Sequence, residues 1–327
     1  MSVQIIIYKN SEEIPPLNNN NLFHSIELFR IYEKTSGYTP IMIVYFENNI
    51  PQAHMLATLR KSTHLFPPYY IKRCEVFGTG SYTSSDTKIK EYQFKQMLSV
   101  LTKQVAKKCF LIEFRNLQNA LFGYKAFRQN NYVPIHWLRI HNSLHSKPPK
   151  ERLNPTRKRQ IKKALLNEVS VSIVQSEEEI REFARILRKN YSYKIRKHFP
   201  NINFFIQVIR SNGEKKNGEI FLVKYKGKII GGSVCVFSEG DAYLWFSGGL
   251  RKSYPLQYPG IMAVWGALTY SYKNGYKHME FMDVGLPFLK HGYRTFVLYF
   301  GGKQIGTRRW FHFKWEFLNK LFLRFIL

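Results

Sequence analysis

Two stretches of the sequence repeat one pattern. "IVYFENNIPQAHML" occupies residues 43–56, and "LVKYKGKIIGGSVC" occupies residues 222–235. In each, a run rich in β-branched and aromatic residues meets a short polar turn and then a second apolar run. This order predicts a β-hairpin in both places. Because the same hairpin occurs twice, we expect the chain to contain two copies of one folding unit.

The segments that follow each hairpin extend the repeat. An aromatic and glycine-containing stretch comes first, then a segment with helical character, then a short apolar run with an acid. The pairs of segments are 75–82 and 244–251, 89–107 and 260–274, and 109–116 and 278–285. Hairpin, strand, crossover helix and strand in this order make a mixed sheet with one parallel step. We therefore predict an α/β protein of two tandem units, each with a mixed sheet flanked by helices.

Length, composition, the N-terminal pattern and the spacing of the cysteines limit the class of protein to which the chain can belong. The 327 residues exceed the usual size of one domain, and 44% hydrophobic with 16% aromatic residues exclude a disordered chain. The N-terminus lacks the pattern of a signal peptide, and no run is apolar for long enough to span a membrane. Cys74, Cys109 and Cys235 stand far apart, without disulfide or metal-type spacing. We therefore predict a cytoplasmic protein without a metal site.

The charge is strongly positive. Fifty Lys and Arg residues against 22 Asp and Glu give a formal charge of +28, and both halves of the chain are basic. Such a field favours anionic partners, including RNA, anionic lipid headgroups and CoA-like substrates, without choosing among them.

A basic segment separates the two copies. In "HSKPPKERLNPTRKRQIKKALL", residues 145–166, two prolines break structure and Asn154-Pro155 predicts the start of a helix. We expect domains at 1–147 and 169–327 with a basic linker helix at 148–168. This helix forms either a solvated face or a contact with phosphate groups. Its basic residues are Arg157, Lys158, Arg159, Lys162 and Lys163.

A candidate donor site lies in the second copy, in "SGGLRKSYPLQYPGIM", residues 247–262. The N-terminus of a helix near the carboxyl ends of parallel strands attracts anions. Residues 257–262 come close to the Q/R-x-x-G-x-G/A pattern that cradles the CoA pyrophosphate in GNAT acetyltransferases, with Met262 in place of the last small residue. The alternative is a Pro-Gly turn that starts a buried helix. The predicted donor-binding residues are Gly248, Gly249, Arg251, Gln257, Pro259 and Gly260.

The first copy has no comparable pattern. The matching stretch "TSSDTKIKEYQF" contains no glycine, so the donor site of the first domain is expected to be degenerate.

Candidate catalytic and substrate-binding residues come from "EFMDVGLPFLKHGYRTFVLYFGG", residues 280–302. Asp283 ends a predicted central strand and is the first candidate for a general base, with Glu280 and Tyr243 behind it. Asp283 fits equally well as a turn cap or as the partner of an arginine. Lys290 and Arg294 are candidates to pair with Asp283 or to hold an anionic substrate.

The segment "YPGIMAVWGALTYSYKNGYKHMEFMDVG", the closing "HGYRTFVLYFGG" and the basic "RKRQIKKA" together resemble a known family. They are similar to the GNAT-like acyltransferases related to the Fem peptidoglycan bridge-forming aminoacyltransferases and to BioF-type acetyltransferase domains. One position departs from the family, because Phe296 is followed by Val297 where a lysine is frequent.

The resemblance implies tandem GNAT folds that transfer an acetyl, acyl or aminoacyl group to an amine of a cell-envelope or polysaccharide precursor. The donor would be acyl-CoA, an acyl carrier protein or aminoacyl-tRNA. A backbone amide near 246–249 would serve the oxyanion, and Gly301 and Gly302 would lie at the substrate. The alternative is a non-catalytic basic protein of the same fold that binds RNA or an anionic membrane.

Two further segments allow two interpretations each. Residues 191–205 fit a lid over the substrate or an exposed helix end. Residues 310–327 set large apolar residues around Lys314, Lys320 and Arg324. This tail fits either a helix in peripheral contact with the inner membrane or a final helix packed on the second domain.

Overall fold

The structure is a computed structural model of a chain that divides into two compact units. It describes residues 2–18, 20–65, 68–117, 119–190, 199–210 and 216–326. Most of the lid predicted at 191–205 therefore lies outside the described residues. Unit 1 comprises residues 1–137 and 306–327, and unit 2 comprises residues 138–305.

The helices and strands have the following bounds. The strands are β1 (Val3–Tyr8), β2 (Tyr38–Glu47), β3 (Ile50–Leu65), β4 (Pro68–Phe77), β5 (Ser81–Tyr82), β6 (Leu111–Arg115), β7 (Val133–Ser143), β8 (Ser170–Ile173), β9 (Gly218–Tyr225), β10 (Lys228–Ser238), β11 (Asp241–Gly249), β12 (His278–Phe281) and β13 (Lys303–Phe313). The helices are α1 (Ile26–Glu33), α2 (Thr87–Val105), α3 (Tyr124–Gln129), α4 (Pro149–Arg152), α5 (Pro155–Leu166), α6 (Glu177–Asn190), α7 (Ile202–Ile209), α8 (Pro259–Lys273), α9 (Gly292–Leu298) and α10 (Glu316–Ile326).

Unit 1 is built on a mixed sheet. Its strand order is β1-β2-β3-β4-β6-β13, with β5 beside β3, and only the β4–β6 neighbours are parallel. The β2–β3 turn places Asn48 and Asn49 at φ 49° and 63°, the left-handed conformation that tight hairpin turns require. Phe94 and Leu98 of α2 pack against Val76 and Ile112 in its core. The apolar face of α2 thus covers the sheet.

Unit 2 repeats this plan. Its strand order is β8-β9-β10-β11-β12-β7, and only the β11–β12 neighbours are parallel. The β9–β10 turn again uses left-handed residues, Lys226 at φ 47° and Gly227 at φ 75°. Ala263 and Leu268 of α8 share a core with Met279 of β12. The predicted hairpins and crossover helices are confirmed in both units.

The division between the units differs from the predicted boundaries. Strand β13 pairs antiparallel with β6, from Arg309 opposite Arg115 to Phe313 opposite Leu111. Because of this ladder, the chain after residue 305, with its final helix, belongs to unit 1 and not to the second domain as predicted. Helix α5, predicted to be a linker, buries Ile161 and Ala164 in the core of unit 2.

The remaining global features concern membranes, cysteines and metals. Within the described ranges, every helix is too short or too polar to cross a bilayer. All three cysteines are free and buried. In the same part of the chain, no group of three or more His, Cys, Asp or Glu residues is placed to hold a metal ion.

Candidate functional site

Strands β11 and β12 of unit 2 pair over a short stretch, and the place beyond their last pair is called the crevice below. They pair in parallel at Ala242–Met279 and Tyr243–Glu280, and β11 then continues to Gly249 while β12 ends at Phe281. In unit 1, β4 and β6 stay paired from Arg73–Leu111 to Phe77–Arg115, where both strands end. Parallel strands receive ligands in the crevice outside their carboxyl ends, and the short β11–β12 ladder makes unit 2 the candidate for such a crevice.

The N-terminus of α8 leaves a place for an anion. Its N-cap, Tyr258, is left-handed at φ 48° and makes no side-chain capping hydrogen bond, and Pro259 follows at the first position. Among the residues that the structure describes, no acceptor meets the Gly260 N–H. A Cβ atom at Gly260 would meet nothing within 4 Å. An uncapped N–H, the positive end of the helix and free space together suit a phosphate group.

The matching helix of unit 1 is closed to anions. Its N-cap, Asp86, accepts hydrogen bonds from the Lys88 N–H at 2.7 Å and the Ile89 N–H at 3.4 Å. This carboxylate occupies the position that a phosphate would need, and its charge repels one. The contrast supports donor binding in the second unit.

Gly248 and Gly249 bring the end of β11 against the start of α8. A Cβ at Gly249 would lie 2.7 Å from Pro259 Cβ and 2.9 Å from Gly260 N, and one at Gly248 would lie 3.0 Å from Leu187 Cδ2. Close backbone approach requires glycine at position 249, whereas a Cβ at Gly248 would meet only side-chain atoms of α6. The structure therefore brings together four of the predicted donor-binding residues: Gly248, Gly249, Pro259 and Gly260.

The other two predicted donor-binding residues lie in the connection between β11 and α8. Arg251 is exposed, and its backbone N–H donates to the Gly249 carbonyl at 2.8 Å. Gln257 is half-buried one residue before the N-cap Tyr258.

Asp283 lies just past the end of β12 and is exposed. Lys290 is also exposed. The Arg294 guanidinium donates to the Leu286 carbonyl at 2.7 Å and also to the Leu289 carbonyl. Arg294 therefore fastens the loop before α9, and the geometry gives it a structural role there.

Gly301 and Gly302 shape the backbone. Gly301 has φ +90°, and a Cβ there would lie 2.5 Å from Arg152 Cβ and 2.8 Å from the Arg152 carbonyl carbon. A Cβ at Gly302 would overlap Ile140 Cγ2. Both residues allow the chain between α9 and β13 to pass close to its neighbours in unit 2.

Arg157 differs from the other predicted phosphate-contacting residues of α5. Its Nη2 donates to the Phe296 carbonyl at 2.8 Å, and its guanidinium lies 4.6 Å from the ring centres of both Phe296 and Phe300. Burial lowers the pKa of Arg157 to about 10. Arg157 is thus a core residue, while the rest of the set stays exposed: Lys158, Arg159, Lys162 and Lys163.

A polar row lies at the end of the β11–β12 ladder, and the sequence pointed to only two of its members, Tyr243 and Glu280. Tyr243, Glu280 and His141 lie in register on β11, β12 and β7. Burial raises the pKa of the Tyr243 phenol, and the Glu280 carboxylate raises it further, so Tyr243 stays protonated. His141 and Arg139 belong to no recognisable motif, because only the pairing of β7 with β12 places them here. No local signal marked them.

The comparisons with known proteins agree with this geometry. The model of the acetyltransferase (GNAT) domain family matches residues 152–290. No curated protein matches the sequence.

Three solved structures share the fold. FemX is 11% identical over all of both chains, with a TM-score of 0.64. A tandem GNAT protein from the clavulanic acid biosynthesis pathway is 8% identical over 96% of this chain and 99% of its own, with a TM-score of 0.57. L-PGS from Bacillus licheniformis is 11% identical over 88% of this chain and 91% of its own, with a TM-score of 0.55. The predicted tandem GNAT fold is confirmed, and the shared fold of FemX agrees with the Fem-like resemblance.

Proposed function

We propose that this chain, an acyltransferase with a GNAT domain in its second unit, transfers an acyl or aminoacyl group to an amine of a cell-envelope or polysaccharide precursor. One observation carries the proposal: the uncapped N-terminus of α8 stands beside the crevice between β11 and β12. An anionic donor would place a phosphate at the Gly260 N–H and extend its acyl arm into the crevice. Unit 1, with Asp86 at the equivalent helix, would bind no donor.

The preferred donor is acyl-CoA, since its pyrophosphate matches this cradle. An acyl carrier protein and aminoacyl-tRNA are the alternative donors. The exposed cations of α5 are the feature that favours aminoacyl-tRNA, a large polyanion whose phosphate groups they would contact. The acceptor amine would enter from the opposite side of the crevice. We place the reaction in the cytoplasm, where these donors are found.

A donor titration tests the proposal. Acetyl-CoA, a longer acyl-CoA and charged tRNA are each added to the purified protein while the thermal midpoint is followed. A donor present at 100 times its Kd should stabilise the protein by about 2.7 kcal/mol, because it binds only the folded state. We expect acetyl-CoA or the longer acyl-CoA to raise the midpoint, with release of free CoA when an amine is added.

The same titration separates the alternatives. A rise with charged tRNA alone would assign aminoacyl transfer. Salt-sensitive binding of uncharged RNA or of liposomes, without turnover of any donor, would favour the non-catalytic protein and contradict the proposed reaction.

We also propose peripheral membrane contact through α10, as lipid-linked acceptors would require. Phe317 and Leu321 are 65% and 45% exposed on this helix. Exposed cations flank them at Lys314, Lys320 and Arg324. Large apolar side chains flanked by Lys and Arg suit the headgroup region of an anionic bilayer.

Replacing both apolar residues, Phe317→Ser with Leu321→Ser, should weaken binding to phosphatidylglycerol-containing vesicles by about tenfold or more. The reason is that burying each large apolar side chain contributes about 1.5 to 3 kcal/mol. Co-sedimentation with vesicles measures the loss. Leu121→Ser removes an apolar side chain that is 63% exposed elsewhere in unit 1 and serves as the matched control. Equal binding by the wild type and the double variant would exclude α10 as the contact.

A further inference from the structure

Glu280 is a buried carboxylate with an acceptor atom that makes no hydrogen bond. Its side chain is 2% exposed. Oε1 contacts Nδ1 of His141, whereas Oε2 has no hydrogen-bond partner among the described residues. Arg139 Nη1 lies 3.3 Å from Oε2, close enough for charge compensation but without hydrogen-bond geometry. A buried, unsatisfied carboxylate oxygen is costly unless a ligand completes it.

The position of Glu280 in the sheet points to the crevice. Glu280 and Tyr243 form the last parallel pair before β11 and β12 part. Side chains alternate along each strand, so Glu280, Tyr243 and His141 share one face. Met279, Phe281 and Ala242 occupy the other face and lie in the core with α8. The carboxylate therefore stands at the floor of the crevice, on the side away from α8.

His141 holds the carboxylate in one orientation. It lies directly opposite Glu280 in the antiparallel β7–β12 ladder and is 25% exposed. Its ring packs on the ring of His278 at 4.0 Å between centroids, and His278 Nδ1 pairs with Asp241 Oδ1 at 2.8 Å. Because the His141 ring packs on His278, its contact with Glu280 limits the rotation of the carboxylate. Catalytic groups need such a fixed orientation.

We propose that Glu280, rather than Asp283, is the general base of the acyl transfer, and that His141 is its positioning residue. The inference rests on the proposed function. The amine nitrogen bonds to the acyl carbon while its proton passes to Glu280 Oε2. The carbon–sulfur bond of the thioester breaks, and its electron pair leaves on sulfur. Glu280 then gives the proton to the thiolate, which restores the carboxylate.

The first test compares the acids in the release of CoA from acetyl-CoA with water as the acceptor. Glu280→Gln should lower the rate by about 100-fold or more, since a general base contributes 10² to 10⁴. The thermal shift that acetyl-CoA produces should be unchanged in this variant. Glu219→Gln, a buried acid on β9 that pairs with Lys216, is the matched control and should keep the rate. Loss of release in Asp283→Asn with retention in Glu280→Gln would overturn the proposal.

The positioning role has its own readout. His141→Phe removes the N–H toward Oε1 and should lower kcat by about tenfold, the value of one hydrogen bond, with the KM for acetyl-CoA unchanged. His141→Asn keeps an N–H donor near Oε1 and should recover most of kcat. If both variants lose the same activity, His141 does not act by orienting Glu280.

A third measurement does not depend on turnover. Carbodiimide coupling with methylamine, read by mass spectrometry, should label Glu280 more slowly once acetyl-CoA is bound, because the acyl arm would fill the crevice beside its carboxylate, whereas labelling of Glu219 should not change. Labelling of Glu280 that acetyl-CoA leaves unchanged, although it raises the thermal midpoint, overturns the base assignment. Absence of any thermal shift or CoA release with the wild type would instead contradict the CoA-dependent function.

Discussion

Gly260→Asp is expected to weaken acetyl-CoA binding by about 100-fold or more, because facing like charges cost several kcal/mol. The new carboxylate would enter the space that is free beside Gly260 and would repel the phosphate that we assign to the Gly260 N–H. In unit 1 an acid stands two positions earlier, at the N-cap, where Asp86 binds the first amides of α2. In each helix the acid places a negative charge at the helix start.

The thermal midpoint of the free Gly260→Asp protein should stay the same or rise, since an acid in the first turn of a helix stabilises it by about 0.3 to 1 kcal/mol. A variant that loses affinity for acetyl-CoA but keeps its thermal midpoint has a blocked donor site, whereas a misfolded variant would lose both. Gly260→Ala is the control, because its Cβ meets nothing within 4 Å and adds no charge. Unchanged affinity in Gly260→Asp, measured by titration calorimetry, would place the donor phosphate elsewhere.

Gly301→Ala is expected to destabilise unit 2 by about 3 kcal/mol. The left-handed backbone costs a residue with a Cβ roughly 1 to 2 kcal/mol, and overpacking adds about 1 to 3 kcal/mol. Both terms apply, because Gly301 has φ +90° and its Cβ would meet the Arg152 backbone, which cannot rotate away. The thermal midpoint should fall by roughly 10 °C for a unit of this size.

Two other glycines separate the contributions. Gly275 has φ +74° with free space around its Cβ position, so Gly275→Ala measures the backbone cost alone. Gly292, in the first turn of α9, has neither a positive φ nor a close neighbour, so Gly292→Ala should be neutral. A midpoint for Gly301→Ala no lower than that of Gly275→Ala would show that Arg152 moves aside, and would refute the packing argument.

Much of the fold could be predicted because its signals are local. The turns at Asn48-Asn49 and Lys226-Gly227 mark hairpins through residues that tolerate left-handed backbone. Asn154 and Pro155 place the start of α5, and Pro259 places the start of α8. These features depend on neighbours within a few residues, which the sequence displays directly.

The candidate site was predicted only in part. The cradle at Gly248, Gly249 and Gly260 was predicted, because its glycines and helix start are contiguous in sequence. The acid was assigned to Asp283 from its place at a strand end, yet Asp283 is exposed and Glu280 is buried. Glycine spacing at Gly301 and Gly302 suggested substrate contact, whereas both residues relieve close packing.

The sequence by itself determined two α/β repeats, their hairpins and helices, and the half in which glycines meet a helix start. Tertiary structure alone decided which strands part and which stay paired, that β13 returns to unit 1, and that His141 faces Glu280. The physical reason is the range of the interactions. Turn and cap preferences act within a few residues, whereas the register between 140–143 and 278–281 depends on hydrogen bonds between segments far apart in the chain.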